Sequence, residues 1–159
     1  MGVNGSGGPD GQVSALELMT RALVGITMQS LQVLAGEVSL PQFRLLLVAS
    51  VLGRVPSSRI AAEAMMTPSS VTRLTDKLAA AGLLERGADS RSRSIVTIGI
   101  TRAGLDLVTR VVERRHELLA AVLGGMTPED RETAARTACQ FAGLAADAAA
   151  LSATGPLPL

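Results

Sequence analysis

The stretch that most constrains this chain runs from Thr67 to Gly104. Thr67 can cap a helix and Pro68 suits its first position, while Val71, Leu74 and Leu78 recur at the spacing of one buried stripe. Ser69, Ser70, Thr72, Arg73, Asp76 and Lys77 fall on the other side of that helix. Hydroxyls and cations of this kind bind phosphate oxygens and base edges. Gly82 stands just past the last periodic residue, where a left-handed C-cap is wanted. Leu83 to Arg86 and Ile95 to Ile100 then read as two short strands. The turn-rich segment between them carries Arg91 and Arg93.

A helix able to enter a major groove, followed by a basic two-stranded wing, is the pattern of a winged helix-turn-helix. Four runs make the resemblance specific: Leu40-Pro41-Gln42-Phe43, Pro68 to Leu74, Ala81-Gly82-Leu83-Leu84-Glu85-Arg86, and Ile100-Thr101-Arg102-Ala103-Gly104. With these runs the chain resembles the MarR family of bacterial transcriptional regulators from about residue 14 to about 150, without a gap between Gly82 and Gly104. The family pattern usually has an aspartate and two arginines where this chain has Ser92, Arg93 and Ser94. The acidic brace of the wing is missing, and Arg91 is the second cation available there.

The fold expected is mainly α with a small β-hairpin wing: a winged helix-turn-helix plus a helical dimerisation region. Residues 1–12 are a Gly-rich tail with too little apolar surface to order itself, and residues 152–159 are a frayed end. Residues 37–104 make the DNA-binding domain, and 13–36 with 105–151 make the dimerisation region. Ser14 with Glu17 is a capping box opening a first helix that runs to about Ala35, with Leu16, Met19, Leu23, Ile26 and Leu34 on its apolar side. Ser39 with Gln42 is a second box, and Phe43, Leu46, Leu47, Ser50 and Val51 form the stripe of the helix that follows. Gly53 stops that helix. Ser57 then caps a short helix from Ser58 to about Met65, with Ile60, Ala61 and Ala64 inward and Arg59 and Glu63 outward. Thr101 caps a long helix with Leu105, Val108, Val111, Val112, Leu118, Leu119, Val122 and Leu123 on its apolar face. Thr127-Pro128 opens an Ala-rich last helix.

Composition agrees. Aromatic residues are 1%, only Phe43 and Phe141, so the core is built of aliphatic side chains, which suits packed helices. Net charge is only +1, but from Arg54 to Arg93 seven basic residues face four acidic ones, a local +3, while the remainder carries −2. The positive charge gathers where the motif is. One cysteine excludes an intrachain disulfide framework, and with no leader pattern the expected compartment is the cytoplasm. No apolar run approaches the roughly 18 residues of a membrane span.

For function, the residues assigned to DNA are Arg59, Thr67, Ser69, Ser70, Thr72, Arg73, Lys77, Arg91 and Arg93. Ser69 and Ser70 sit at a helix N-terminus that attracts phosphate. Arg73 can bond both acceptors of guanine, Lys77 meets backbone, and a wing arginine suits a narrow minor groove. The resemblance implies a homodimer clasped through residues such as Leu16, Leu23, Val122, Leu123, Ala138 and Ala142, acting as a repressor on a pseudo-palindromic site. It also implies release by a small apolar or aromatic effector in a pocket near Phe43, Leu47 and His116. His116 also reads as an ordinary surface or interface histidine, and Cys139 as a small buried hydrophobe. No metal, cofactor or catalytic constellation is expected. Two other readings stay open: a winged-helix interaction protein that has lost DNA binding, and a small thiol enzyme using Cys139.

Overall fold

The computed structural model describes residues 8–88 and 95–149. Among them are helices α1 (Pro9–Ser30), α2 (Leu40–Leu52), α3 (Ser57–Glu63), α4 (Pro68–Ala80), α5 (Arg102–Gly124) and α6 (Pro128–Ala149). Strands β1 (Val55–Pro56), β2 (Leu84–Ala88) and β3 (Val96–Ile100) form one antiparallel sheet in the order β1-β3-β2. The chain is mainly α with a small wing, as the sequence pattern requires.

The first helix starts at Pro9, with Gly8 as N-cap, rather than at Ser14. Pro9 presets its own φ, and Asp10 sits in the first turn where the dipole favours a negative charge. Ser14 lies inside the helix, its Oγ donating to the Asp10 carbonyl at 2.9 Å, so it caps nothing. The helix therefore begins within the stretch expected to be a tail. It ends at Ser30 and passes through a 3-10 turn, Leu31–Leu34, into Ala35 and Gly36, whose φ values of 46° and 83° reverse the chain. Glu37, just beyond, pairs with Arg110 of α5 at 2.8 Å.

Helix α2 is the centre of the core. Gln42 Oε1 accepts from the Ser39 backbone N–H and from Ser39 Oγ, both at 2.8 Å, which anchors the N-terminus as expected. The expected single stripe is too narrow, however. Phe43 and every residue from Leu45 to Ala49 are buried, because α4, α5 and the sheet surround this helix, while Val51 is exposed.

Helix α3 begins one residue early, with Pro56 as its N-cap, and stops at Glu63. Met66 N–H donates to Ala61 O and Met65 N–H to Ala62 O, at 3.0 and 3.1 Å, a pair of bonds that closes a helix through a left-handed residue. That residue is Met65, φ 51°, so the expected helical Met65 is instead the turn between α3 and α4. Ile60, Ala61 and Ala64 face inward as expected.

The start of α5 is seated on the end of α4. Thr101 Oγ1 accepts from Gly104 N–H at 3.1 Å and donates to Gly82 O at 2.7 Å. A Cβ at Gly104 would lie 2.2 Å from the Leu83 carbonyl oxygen, so only glycine fits there. Leu107, Val108 and Val111 are buried, whereas Leu105 and Val112, expected inward, are exposed. The buried row is Gly104, Leu107, Val108 and Val111, the i, i+3, i+4, i+7 spacing of one helix face, and Leu105 and Val112 lie off that row. Beyond Val111 no described side chain of α5 is buried, and α6 carries none either. Phe141 and Leu144 of α6 are 48% and 63% exposed.

Candidate nucleic-acid interface

Helix α4 is set by its own caps. Thr67 is extended, and its Oγ1 accepts from Ser70 N–H at 3.3 Å. The same oxygen lies 2.9 Å from Ser70 Oγ and 3.1 Å from Ser69 Oγ, which gathers three hydroxyls at the positive end of the helix. At the other end Leu83 N–H donates to Leu78 O and Gly82 N–H to Ala79 O, at 2.9 Å each, with Gly82 at φ 70°. The helix is thus fixed between two caps and pinned to the core by Val71 and Leu78.

Its outer face carries Ser69, Thr72, Arg73, Asp76 and Lys77, all exposed, and Ser70 is half-buried rather than fully outward. Thr72 Oγ1 donates to the Pro68 carbonyl at 3.0 Å, which leaves its methyl and a lone pair outward. Arg73 and Lys77 make no ion pair with a described residue. Thr75, which the sequence reading left unplaced, is fully buried beside Val71 and Leu78, and its Oγ1 has no hydrogen-bond partner.

Asp76 is not a free charge on this face. Arg86, from β2, reaches it at 2.6 Å and also donates to the Thr72 carbonyl at 3.3 Å. The wing base is thereby tied to the middle of α4. A second arginine, Arg54, pairs with Glu85 on the same strand. No local pattern announces either contact, since each joins residues far apart in sequence. The one hint is a glycine in each strand, Gly87 and Gly99, because glycine inside a strand often marks a close approach. Strand β1 was also unforeseen: two residues between helices carry no periodicity to read.

Arg59 is exposed on α3 and lies 3.7 Å from Glu63, a solvent-screened pair that a phosphate can displace at little cost. Arg91 and Arg93 lie outside the described residues. The structure does not gather the expected effector residues into a pocket. Phe43 and Leu47 are core residues, and His116 is exposed on α5. An open surface groove runs along α1, lined by Val13, Leu16, Glu17, Thr20 and Arg21. A cavity of about 110 Å³ lies between α4 and the wing, lined by Ser57, Thr72, Thr75, Arg86, Val96 and Ile98. Cys139 is exposed rather than buried, because no described residue covers that part of α6. Burial pushes the Arg115 guanidinium down from its ordinary value. Among the described residues there is no cluster of three or more metal-ligating side chains, and no helix is long and apolar enough to cross a membrane.

The sequence model of the MarR family matches residues 38–96, from just before α2 to the first residue of β3. Residues 38–96 are a MarR-family domain. Solved structures carry the same fold over most of the chain. RV1404 from Mycobacterium tuberculosis is 29% identical with a TM-score of 0.78, over 84% of this chain and 92% of that one. The transcriptional regulator Tm0710 from Thermotoga maritima is 20% identical with a TM-score of 0.73, over 86% and 97%. A MepR mutant of S. aureus bound to oligodeoxyribonucleotide is 19% identical with a TM-score of 0.63, over 82% and 94%. Comparison with curated protein sequences gives no match. The protein has the fold of MarR-family transcriptional regulators, including the helices outside the matched domain.

Proposed function

We propose that the protein is a sequence-specific double-stranded DNA-binding transcriptional regulator of the MarR type, a repressor acting as a homodimer. The observation that carries this reading is the outer face of α4: exposed hydroxyls at a helix N-terminus, then Arg73 and Lys77 free of described ion partners, on a helix rigidly capped at both ends. A guanidinium without an intramolecular carboxylate has donors to spend on guanine O6 and N7. Thr67, Ser69 and Ser70 hold phosphate at the helix start, Thr72 offers a methyl and a hydroxyl, and Lys77 and Arg59 meet backbone. Arg91 and Arg93 supply the wing contact. The MepR relative bound to oligodeoxyribonucleotide supports the placement of such a fold on DNA.

The second copy is called for by exposed apolar surface. Leu16 and Leu23 on α1, Val122 and Leu123 on α5, and Phe141 and Leu144 on α6 are all exposed in the single chain. Covering the exposed part of each contributes a fraction of the ~1.5–3 kcal/mol of a whole side chain, and the sum is set against the cost of association. Ala138 and Ala142 permit close approach of helices. Residues 13–36 and 105–151 form this clasp and residues 37–104 the reading head. Two α4 helices then enter successive major grooves, about one helical turn apart. A small apolar or aromatic effector binding where clasp and head meet would release the operator by favouring a different head separation. Of the residues expected to line that pocket, Phe43 and Leu47 are buried in the core, and His116, exposed on α5, is the one open to it.

Fluorescence anisotropy with the protein's own promoter duplex tests the reading. Tight binding that falls steeply with salt is expected, since phosphate contacts release counterions. Binding indifferent to salt, or none at all, would sink it.

A further inference from the structure

We infer that Arg54 is a positioning residue whose guanidinium, lying across the outer face of the wing, fixes the angle between wing and α4 and so sets how the wing meets the duplex. The inference rests on the DNA-binding reading above. It starts from the register of the wing. Glu85 lies opposite Gly99 and Gly87 opposite Thr97, and alternate residues of a strand share a face, so these four occupy one side of the sheet. Two of the four are glycines. A Cβ at Gly87 would lie 2.6 Å from Arg54 Nη1, and one at Gly99 would lie 3.3 Å from Arg54 Cζ. The planar group therefore fills the room the missing side chains leave, with Glu85 as its carboxylate partner and the buried Thr97 alongside.

The stem of this arginine is rooted in rigid structure. Gly53, at φ 68°, ends the central helix α2, and Arg54 follows directly. Among the described residues the sheet pairing on this side is short: Val55 with Ile98 and Pro56 with Thr97, and Pro56 has no N–H to give. A ladder of that length supplies few backbone hydrogen bonds. Arg54 spans it and reaches β2, while Arg86 ties β2 to α4 by way of the opposite face. The wing is held on one face by the guanidinium of Arg54 and on the other by that of Arg86, above a base that Leu84 and Ile98 fix in the core. Glu85 neutralises Arg54, which argues for bracing over direct contact with phosphate.

The test uses the full chain, its own promoter duplex and two variants. Gly87→Ala displaces the end of the guanidinium without changing charge, at low cost because that end is flexible, and Arg54→Gln removes the pair. Circular dichroism selects a temperature at which both are folded. Both should bind on the order of tenfold more weakly. They should also lose the penalty that wild type shows when diaminopurine·T replaces A·T under the wing, a change that adds an amino group in the minor groove and leaves the major-groove pattern alone. The ratio of matched to scrambled duplex, read by α4, should stay. Wild-type affinity with an intact minor-groove penalty in both variants would overturn the role of Arg54 alone. So would a salt slope flattened by about one in Arg54→Gln but not in Gly87→Ala, which would make Arg54 a phosphate contact. A wild-type chain that binds no duplex would overturn the DNA reading itself.

Discussion

Replacing Arg73 by alanine separates reading of bases from attraction to backbone. Arg73 is exposed and has no ion pair with a described residue, so its loss should leave folding within about 0.5 kcal/mol of wild type. The whole cost then falls on the complex. A guanidinium bonded to guanine O6 and N7 contributes about 1–3 kcal/mol of discrimination, which corresponds to roughly 5- to 150-fold in affinity. Lys77 lies one turn along the same face and meets backbone, so Lys77→Ala should weaken every sequence alike and reduce the salt slope by about one. Anisotropy titrations of both variants against matched and scrambled duplexes, over a range of salt, measure the two effects. Arg73→Ala should narrow the gap between matched and scrambled DNA, and Lys77→Ala should preserve it. Equal losses on both duplexes from both variants would refute this division of labour, as would a loss of folding in Arg73→Ala.

Other substitutions probe the supports of the site. Gly104→Ala places a methyl group 2.2 Å from the Leu83 carbonyl oxygen, so it should lower stability by about 1–3 kcal/mol in chemical denaturation, and an unchanged midpoint would contradict the close approach. Thr75→Val keeps the shape of a fully buried side chain and removes an unpartnered hydroxyl, so thermal unfolding should occur at the same temperature or up to a few degrees higher; a marked drop would mean the hydroxyl has a partner. Phe141→Asp puts a charge on exposed apolar surface of α6, so light scattering should find it shifted from dimer to monomer with its helix content kept; an unchanged mass would remove α6 from the clasp.

What the sequence made legible was local chemistry. The caps at Thr67 and Thr101, the box at Ser39 and Gln42, and the stops at Gly53 and Gly82 each depend on a few neighbouring residues, and each stands where those residues put it. The start of α1 is less legible because Pro9 and Asp10 sit in a Gly-rich stretch, although Pro9 offers the same chemistry as Pro68. The burial of α2 on nearly all sides depends on how many elements surround it, which its own periodicity does not carry. The braces of the wing, Arg86 on Asp76 and Arg54 on Glu85, join segments whose nearness exists only once the fold has formed. In the sequence those four residues count only as two cations and two anions of the motif, and pairing them off leaves its local net charge unchanged at +3.

Hydroxyl-radical footprinting of the intact chain on its own promoter tests the central claim most directly. Two symmetric protected patches should appear, their centres about one helical turn apart, ~10–10.5 base pairs, with two chains bound per duplex. A single unpaired patch, or uniform cleavage at protein concentrations that saturate a dimeric regulator, would contradict that claim.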